Sequence, residues 1–488
     1  MRCLLHRELV DPVRSQDPVP DAVPAAQHGE RLLNQLAVPF GSAPIARVPY
    51  GLPVKRLGDG ALWLAAFLSG FVIREPAPYE LYMAGLSVVW LACGLKLRRE
   101  FGPLIVCLML YIAGGIASIP MAEVQGDAIM YIAVSGFLAI TAIFYAAILA
   151  DDPDRFRIIQ SGYTISSIFV AAIGIAGYFH LFPGADYFTL YDRARGTFQD
   201  PNVFGPFLVL PTLLLIQTLL RNSVLKNLHL LPPIAVLLLA IFLSFSRGAW
   251  FVLFAGVLIV YFLALVTEPS PRRRGRLILL GIGGVLAAAG LLAAALSIDS
   301  VADMFAQRAR LVQEYDGSRL GRFARYSLGF QMVMDYPLGL GALEFNKHFP
   351  EDEHNVYLKG FTTYGWLGGT VYIGLALWTL TALVPLLFKS RPWTAFTQSL
   401  FAVFAAHLIL SVIIDTDHWR HMYMFYGLAW GLIATDKIER KRLLARRFAL
   451  GLPSTRKAGQ NHIAPPQAAC AWNANTIGRS RSGSSAAW

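Results

Sequence analysis

The chain has 488 residues, 55% of them apolar and 15% charged, and a mean hydropathy of +0.50. That composition excludes an ordinary soluble enzyme and describes a polytopic membrane protein. The net charge of +11 would suit nucleic acid, but the cations fall between apolar runs and read as a topology signal; the four cysteines, Cys3, Cys93, Cys107 and Cys470, have neither metal-ligand nor disulfide-framework spacing.

Residues 1–54 mix Pro, Gln, Asp and Arg without periodicity and are expected to form a disordered cytoplasmic tail. The first apolar run starts near Gly60, too late for an ordinary cleaved signal peptide. Twelve runs follow, at roughly 60–73, 78–95, 102–119, 128–149, 158–182, 203–220, 230–246, 249–266, 277–297, 360–388, 394–414 and 422–436. A helix crosses a bilayer in about 20 residues. The expected fold class is therefore an all-α polytopic membrane protein with about 12 transmembrane helices.

Placing the N-terminus inside gives inner segments with Lys55 and Arg56; Lys96, Arg98 and Arg99; Arg155 and Arg157; Arg221 and Lys226. Further inner cations are Arg272, Arg273, Arg274 and Arg276; Lys389 and Arg391; and six from Lys437 to Arg447. That makes 21, against five in the short outer segments: Arg74, Arg193, Arg195, Arg247 and Arg420. The positive-inside rule then puts both termini in the cytoplasm. The basic layer faces membrane lipids, with no nucleic acid as partner. The resulting plan is a tail at 1–54, a transmembrane domain at 55–450 and a second disordered tail at 451–488.

Orientation does not require the outer cations, so they draw attention. Arg193-Ala194-Arg195-Gly196-Thr197-Phe198-Gln199-Asp200-Pro201-Asn202 opens the sixth run. Asp200 or Asn202 can cap that helix, and Pro201 suits its first turn. A capped helix start does not account for the two arginines. Arg247, in Ser246-Arg247-Gly248, lies between two runs that together far exceed one crossing, so the chain turns there. An arginine at such depth costs roughly 2.5–3.5 kcal/mol even on the mild insertion scale. It is tolerable as a snorkelling turn residue, or facing a wet cavity or an anionic partner.

One outer segment is long, 298–359. Within 318–334, Leu320, Phe323, Ser327, Phe330, Gln331 and Met334 fall at helical spacing, with Arg319, Arg322 and Arg325 on other faces, so a helix at the membrane interface is expected. Asp335-Tyr336-Pro337 stops it, and Gly339 and Gly341 supply a tight loop. The segment ends in Glu351-Asp352-Glu353-His354-Asn355, just before the tenth run. Forked guanidinium groups bind phosphate bidentately, and histidine is the side chain best suited to move a proton near neutral pH. Arginines and a histidine on one outer face suit a lipid-phosphate substrate.

These residues carry a resemblance. Arg195-Gly-Thr-Phe-x-Asp-Pro-Asn-x-Phe-Gly205, Ser246-Arg247-Gly248-Ala249, Arg322 followed by Asp335-Tyr-Pro-Leu-Gly-Leu-Gly341, His354-Asn355-x-Tyr357-Leu358 and Tyr364-Gly365-x-x-Gly368 resemble the O-antigen ligase family, a superfamily that also holds O-antigen and exopolysaccharide polymerases. The resemblance implies a GT-C-like fold with a large periplasmic loop, and a metal-independent glycosyltransferase of the bacterial inner membrane. The implied donor is a glycan on undecaprenyl pyrophosphate, the acceptor lipid A-core or another lipid-linked glycan, and no cofactor is expected. Carried over residue by residue, Arg247 and His354 are catalytic, with His354 the base for the acceptor hydroxyl. Arg195 and Arg322 are carried over with Arg247 as pyrophosphate ligands, and Arg193, Asn202, Arg319 and Asn355, from the same outer polar clusters, complete the expected substrate-binding set. The motifs do not separate ligase from polymerase.

Weaker signals point elsewhere. Asp415-Thr-Asp417-His418-Trp-Arg420-His421 looks like a metal-ligand run but reads better as a polar turn bordering the cavity. Gly281-x-Gly283-Gly284 lies in an apolar run after no strand and reads as helix packing, not a dinucleotide site. Tyr357 and Trp366 could stack on sugar rings. The alternative function is a polysaccharide transporter or lipid-linked-sugar flippase. Conspicuous cations on one face, with few charges between, favour one-sided chemistry over it. A scaffold of an export complex would not require Arg247 and His354 together.

Overall fold

The structure is a computed structural model that describes residues 51–308 and 321–450. Its contacts divide the chain into a leading unit, Met1–Gly58, and a body, Asp59–Trp488. Of the leading unit, the described part is the opening of helix α1, Gly51–Leu68. The rest of the tail expected at 1–54, and the tail expected at 451–488, lie outside the described residues.

The body is helical. After α1 come α2 (Pro78–Ala92), α3 (Gly102–Ser118), α4 (Gln125–Asp151) and α5 (Arg155–Tyr178). A two-residue hairpin follows, β1 (Thr189–Leu190) and β2 (Arg193–Ala194), antiparallel with Leu190 opposite Arg193. Then come α6 (Pro201–Phe207), α7 (Val209–Arg221), α8 (Leu231–Leu243), α9 (Arg247–Thr267), α10 (Pro271–Leu296) and α11 (Asp299–Arg308). The chain ends with α12 (Arg322–Met334), α13 (Phe345–His348), α14 (Val356–Leu387), α15 (Thr394–Leu410) and α16 (Arg420–Ala449). α4 packs along α16, α3 along α14, and α9 along α15.

Eight stretches among the described residues are long and apolar enough to cross a membrane: Arg99–Met121, Gln125–Asp151, Arg155–Tyr178, Pro201–Arg221, Leu225–Leu243, Arg247–Thr267, Pro271–Leu296 and Val356–Leu387. The chain is a multi-pass membrane protein. The other four of the twelve expected runs fall short for identifiable reasons. The first lies in α1, whose opening turns carry Lys55, Arg56 and Asp59; α2 has 15 residues and α15 has 17. The apolar half of α16 is dense in Tyr, Trp and His, which have modest hydropathy.

The helix ends sort onto two faces. On one, Arg98 and Arg155 meet Asp151, Lys389 and Arg391 meet Asp436, and Lys441 meets Glu100. These cations come from the segments expected inside. On the other, the loop face, Val72 bridges to Phe198, Thr197 donates to the Gly70 carbonyl, and the Val356 amide donates to the Ser411 carbonyl. Arg420 there reaches Glu75 and Glu80.

Two interruptions shape the loop face. The expected sixth helix is broken at Leu208, just past Pro206, into α6 and α7. α14 is kinked at Gly365, where φ is +66° and a Cβ would fall 2.8 Å from the Pro337 carbonyl oxygen. Only glycine takes that conformation without strain. The kink frees the Thr362 carbonyl to accept from the Leu340 and Gly341 amides at 2.7 and 3.2 Å, while Trp366 N donates to Pro337 O at 2.9 Å. The Pro337–Gly341 loop thus plugs into the helix break. A helix is expected over 318–334, and one forms there, α12, which stops at Asp335 as expected; 318–320 lie outside the described residues.

Candidate functional site

The first polar centre is the α8–α9 turn. Phe245 has φ of +43°, and Ser246 caps α9 by accepting from the Ala249 amide at 3.3 Å. Arg247 is therefore the first residue of a 21-residue helix, half-buried at its positive dipole end. Helix N-termini attract anions, and a guanidinium there adds a full charge.

Arg193 and Asn202 brace this turn from below. Arg193 is 6% exposed; its Nε donates to the Ser244 carbonyl at 2.8 Å, and its Nη2 donates to Asn202 Oδ1 at 2.8 Å. Asp200 caps α6 by accepting from the Asn202 amide at 2.7 Å. Arg195 donates to the Tyr187 carbonyl at 2.9 Å, and its guanidinium lies 5.7 Å from the centre of the Tyr187 ring. The sequence treats these three as substrate ligands. In the structure Arg193 and Asn202 are partners of one another, and Arg195 binds its own loop. Arg319 lies outside the described residues, and Arg322 is the first residue of α12. The buried arginine of that helix is Arg325, 1% exposed and 2.7 Å from Glu351.

The second centre surrounds His354, whose backbone is left-handed with φ of +49°. Non-glycine residues adopt that region only where neighbours hold them. Here Asp415 does so, accepting from the His354 amide at 3.2 Å and the Asn355 amide at 3.0 Å. The imidazole Nδ1 lies 3.8 Å from Asp415 Oδ2, beyond hydrogen-bond reach, and the side chain is 37% exposed. The Tyr326 hydroxyl donates to the His354 carbonyl at 2.8 Å. Asn355 caps α14, its Oδ1 accepting from the Tyr357 and Leu358 amides at 3.0 and 3.1 Å, so its side-chain oxygen serves the helix.

Lys359, one turn into α14 and 5% exposed, ties the centre together. Its ammonium lies 2.8 Å from Asp352, 3.3 Å from Asp415 and 3.7 Å from Glu353. These three carboxylates lie close enough to share a metal ion, but the Lys359 ammonium already supplies a cation to the same oxygens. Burial pushes Glu353 well above the usual carboxyl range, with Asp352 beside it adding to the shift. Burial works against the Asp352 charge too, but Glu353 and Lys359 outweigh it and hold Asp352 below its ordinary value. Burial also raises Asp415, with Lys359 opposing.

A polar chain runs onward from Lys359. Its ammonium lies 5.9 Å from the Tyr131 ring centre, and the Tyr131 hydroxyl donates to Asp417. His418 Nε2 is 2.8 Å from Ser135 Oγ, which is 2.7 Å from the buried Tyr364 hydroxyl. Burial lowers the His418 imidazole below its usual value.

The end of α15 joins the two centres. Leu410 packs against Gly248, where an added Cβ would meet its side chain, and the next residue, Ser411, accepts from the Val356 amide. Gly248, next to Arg247, and Val356, two residues past His354, thus contact consecutive residues of the chain. Sequence reading missed Asp415 as the partner of His354, and it missed Lys359 and Tyr131. The available signal was Lys359 itself, an ionisable residue at the mouth of an apolar run.

Fold and site together define a multi-pass helical membrane protein with a polar centre, rich in guanidinium, carboxylate and imidazole, at one membrane face. Residues 233–373 match the family model described as O-Antigen ligase, so that stretch is an O-antigen ligase family domain. That family transfers lipid-linked glycans. The match takes in Arg247, Arg322, His354 and Asn355, and leaves Arg193, Arg195 and Asn202 upstream and Asp415 downstream. No curated protein matches the chain.

Proposed function

We propose that the protein is a glycosyltransferase of the bacterial inner membrane that moves a glycan from undecaprenyl pyrophosphate to a hydroxyl of lipid A-core or of another lipid-linked glycan. All twelve runs cross the membrane, both termini are cytoplasmic, and the loop face is periplasmic. The transmembrane domain spans 55–450. The observation that carries this reading is the gripping of His354 by Asp415, with His354 and Arg247 both inside the O-antigen ligase family stretch.

The chemistry follows from the geometry. The acceptor hydroxyl oxygen attacks the anomeric carbon, its proton passes to His354, and the bond from that carbon to the pyrophosphate oxygen breaks. The pyrophosphate leaves as an anion beside Arg247 and the N-terminus of α9, where preorganised positive charge stabilises it. Asp415 positions the imidazole and stabilises the imidazolium that forms, closing from 3.8 Å as substrate binds. Arg193 and Asn202 hold the turn that presents Arg247. The donor is already activated, so the residues need only orient, stabilise and take up one proton.

The test is transfer by the purified full-length protein from a lipid pyrophosphate-linked glycan, with donor affinity measured alongside. His354→Gln is expected to lose on the order of 10²–10⁴ in rate while keeping donor binding. Arg247→Lys is expected to weaken donor binding, because a point ammonium cannot make the two-pronged phosphate contact. Parental transfer by either variant overturns the assigned role of that residue. Parental transfer by both overturns the site.

A further inference from the structure

A cleft of about 270 Å³ opens on the loop face beside the polar chain. Glu75, Glu80 and Asp127 line it together with Tyr131, His418 and Arg420, over apolar side chains of α4. Its position is fixed by the same contacts that build the site. The Tyr131 hydroxyl donates to Asp417, and the Tyr131 ring lies beside Lys359, which holds Asp415, which in turn grips His354.

Three properties define what the cleft accepts. Its size is below the roughly 300–1,000 Å³ of pockets that engulf a drug-sized ligand, so it suits a sugar ring or two and not a lipid chain. Its charge is negative, with three carboxylates against one guanidinium, and Arg420 is already shared between Glu75 and Glu80. A pyrophosphate or uronate would be repelled, whereas hydroxyl and ammonium donors would be accepted. Its wall is aromatic, with the Tyr131 and His418 ring centres 4.1 Å apart and their planes inclined by 36°. Such a surface offers an apolar face to the C–H side of a pyranose.

We propose that this cleft is the acceptor-sugar subsite, built for a neutral or amino sugar and closed to anionic ones, with the donor pyrophosphate on the far side of His354 at Arg247. Asp127 is its selective residue. It is exposed and makes no ion pair or side-chain hydrogen bond among the described residues, so its carboxylate is available to a ligand. The subsite deepens the transfer reading and rests on it.

The experiment uses the full-length protein in lipid nanodiscs and the methyl glycosides of glucose, glucosamine and glucuronic acid as probes. Ligand-observed saturation-transfer NMR reads binding, and undecaprenyl pyrophosphate affinity is measured on the same preparations. The glucoside and glucosaminide are expected to bind and the glucuronide to be excluded. Asp127→Lys should cost the glucosaminide about tenfold or more, the worth of one charge-assisted hydrogen bond, and should admit the glucuronide. Equal binding of all three probes by the parent, or no signal that responds to Asp127→Lys, overturns the subsite. Donor binding without any Asp127-dependent sugar contact removes the subsite and leaves the transfer reading intact. Selective sugar binding without donor binding removes the transfer reading and leaves a sugar cleft.

Discussion

The fold acts directly on the protonation of Glu353. That residue is 1% exposed, and its Oε1 accepts from the Thr362 hydroxyl while its Oε2, 3.7 Å from the Lys359 ammonium, has no hydrogen-bond partner among the described residues. A carboxyl raised by burial is held protonated in the folded state over a range where the unfolded chain is ionised. The folded state then binds more protons than the unfolded one, so this group's contribution is full below the ordinary glutamate value of about 4.3 and is lost as pH rises through the folded value. Glu353→Gln mimics the neutral form at every pH. The thermal midpoint of this variant, relative to the parent in the same detergent, should rise as pH is raised above the ordinary carboxyl range. A difference that stays flat or falls would show that Glu353 is ionised in the fold.

Among the elements, the kinked α14 carries the most. Its cap, its kink and Lys359 secure three separate segments: the His354 loop, the Pro337–Gly341 plug and the turn at Asp415. Removing one partner of a buried charged cluster typically costs about 3–5 kcal/mol, because the remaining charges stay buried without compensation. Lys359→Met should therefore destabilise the protein by about that amount, measured by denaturation in detergent, and release the Asp415 turn. A loss below about 1 kcal/mol, the scale of an exposed pair, would show that the cluster is hydrated. Much of this element was legible in the sequence. The stop at Asp335 and the glycine loop are local signals, each set by the few residues around it, whereas the Asn355 cap, equally local, went unread. The Asp415 contact was not legible, because it joins positions 60 residues apart in two separate loops, and no periodicity encodes such a pairing. Arg193 and Asn202 were legible as candidates, but their contact with one another was not. Their pairing depends on how the β2 hairpin meets the Ser244 turn, which charge counts cannot reveal.

For the molecule as a whole, the 21 cations read from the sequence include those found on one face, where Asp151, Asp436 and Glu100 pair with several of them. That sorting makes topology testable with residues on described loops. In a background where Cys3, Cys93, Cys107 and Cys470 are serine, Tyr336→Cys should react with a membrane-impermeant maleimide in cells with a permeable outer membrane. Arg273→Cys should react only after the inner membrane is opened. The reverse pattern would invert the orientation and move the site to the cytoplasm. Arg420 has a further consequence, for the order in which the chain is made. Its partners Glu75 and Glu80 lie just before and within the first turn of the second helix, while Arg420 opens the last, 340 residues after Glu80. A chain leaving the ribosome therefore inserts its early helices with two acids unmatched at the membrane edge, and they stay unmatched until the final helix arrives. Asp415, which sets the histidine, emerges only a few residues earlier. The bundle is stitched shut and the proposed site assembled in the same late step, so a nascent or truncated chain that has already inserted most of its helices lacks the Asp415 grip on His354.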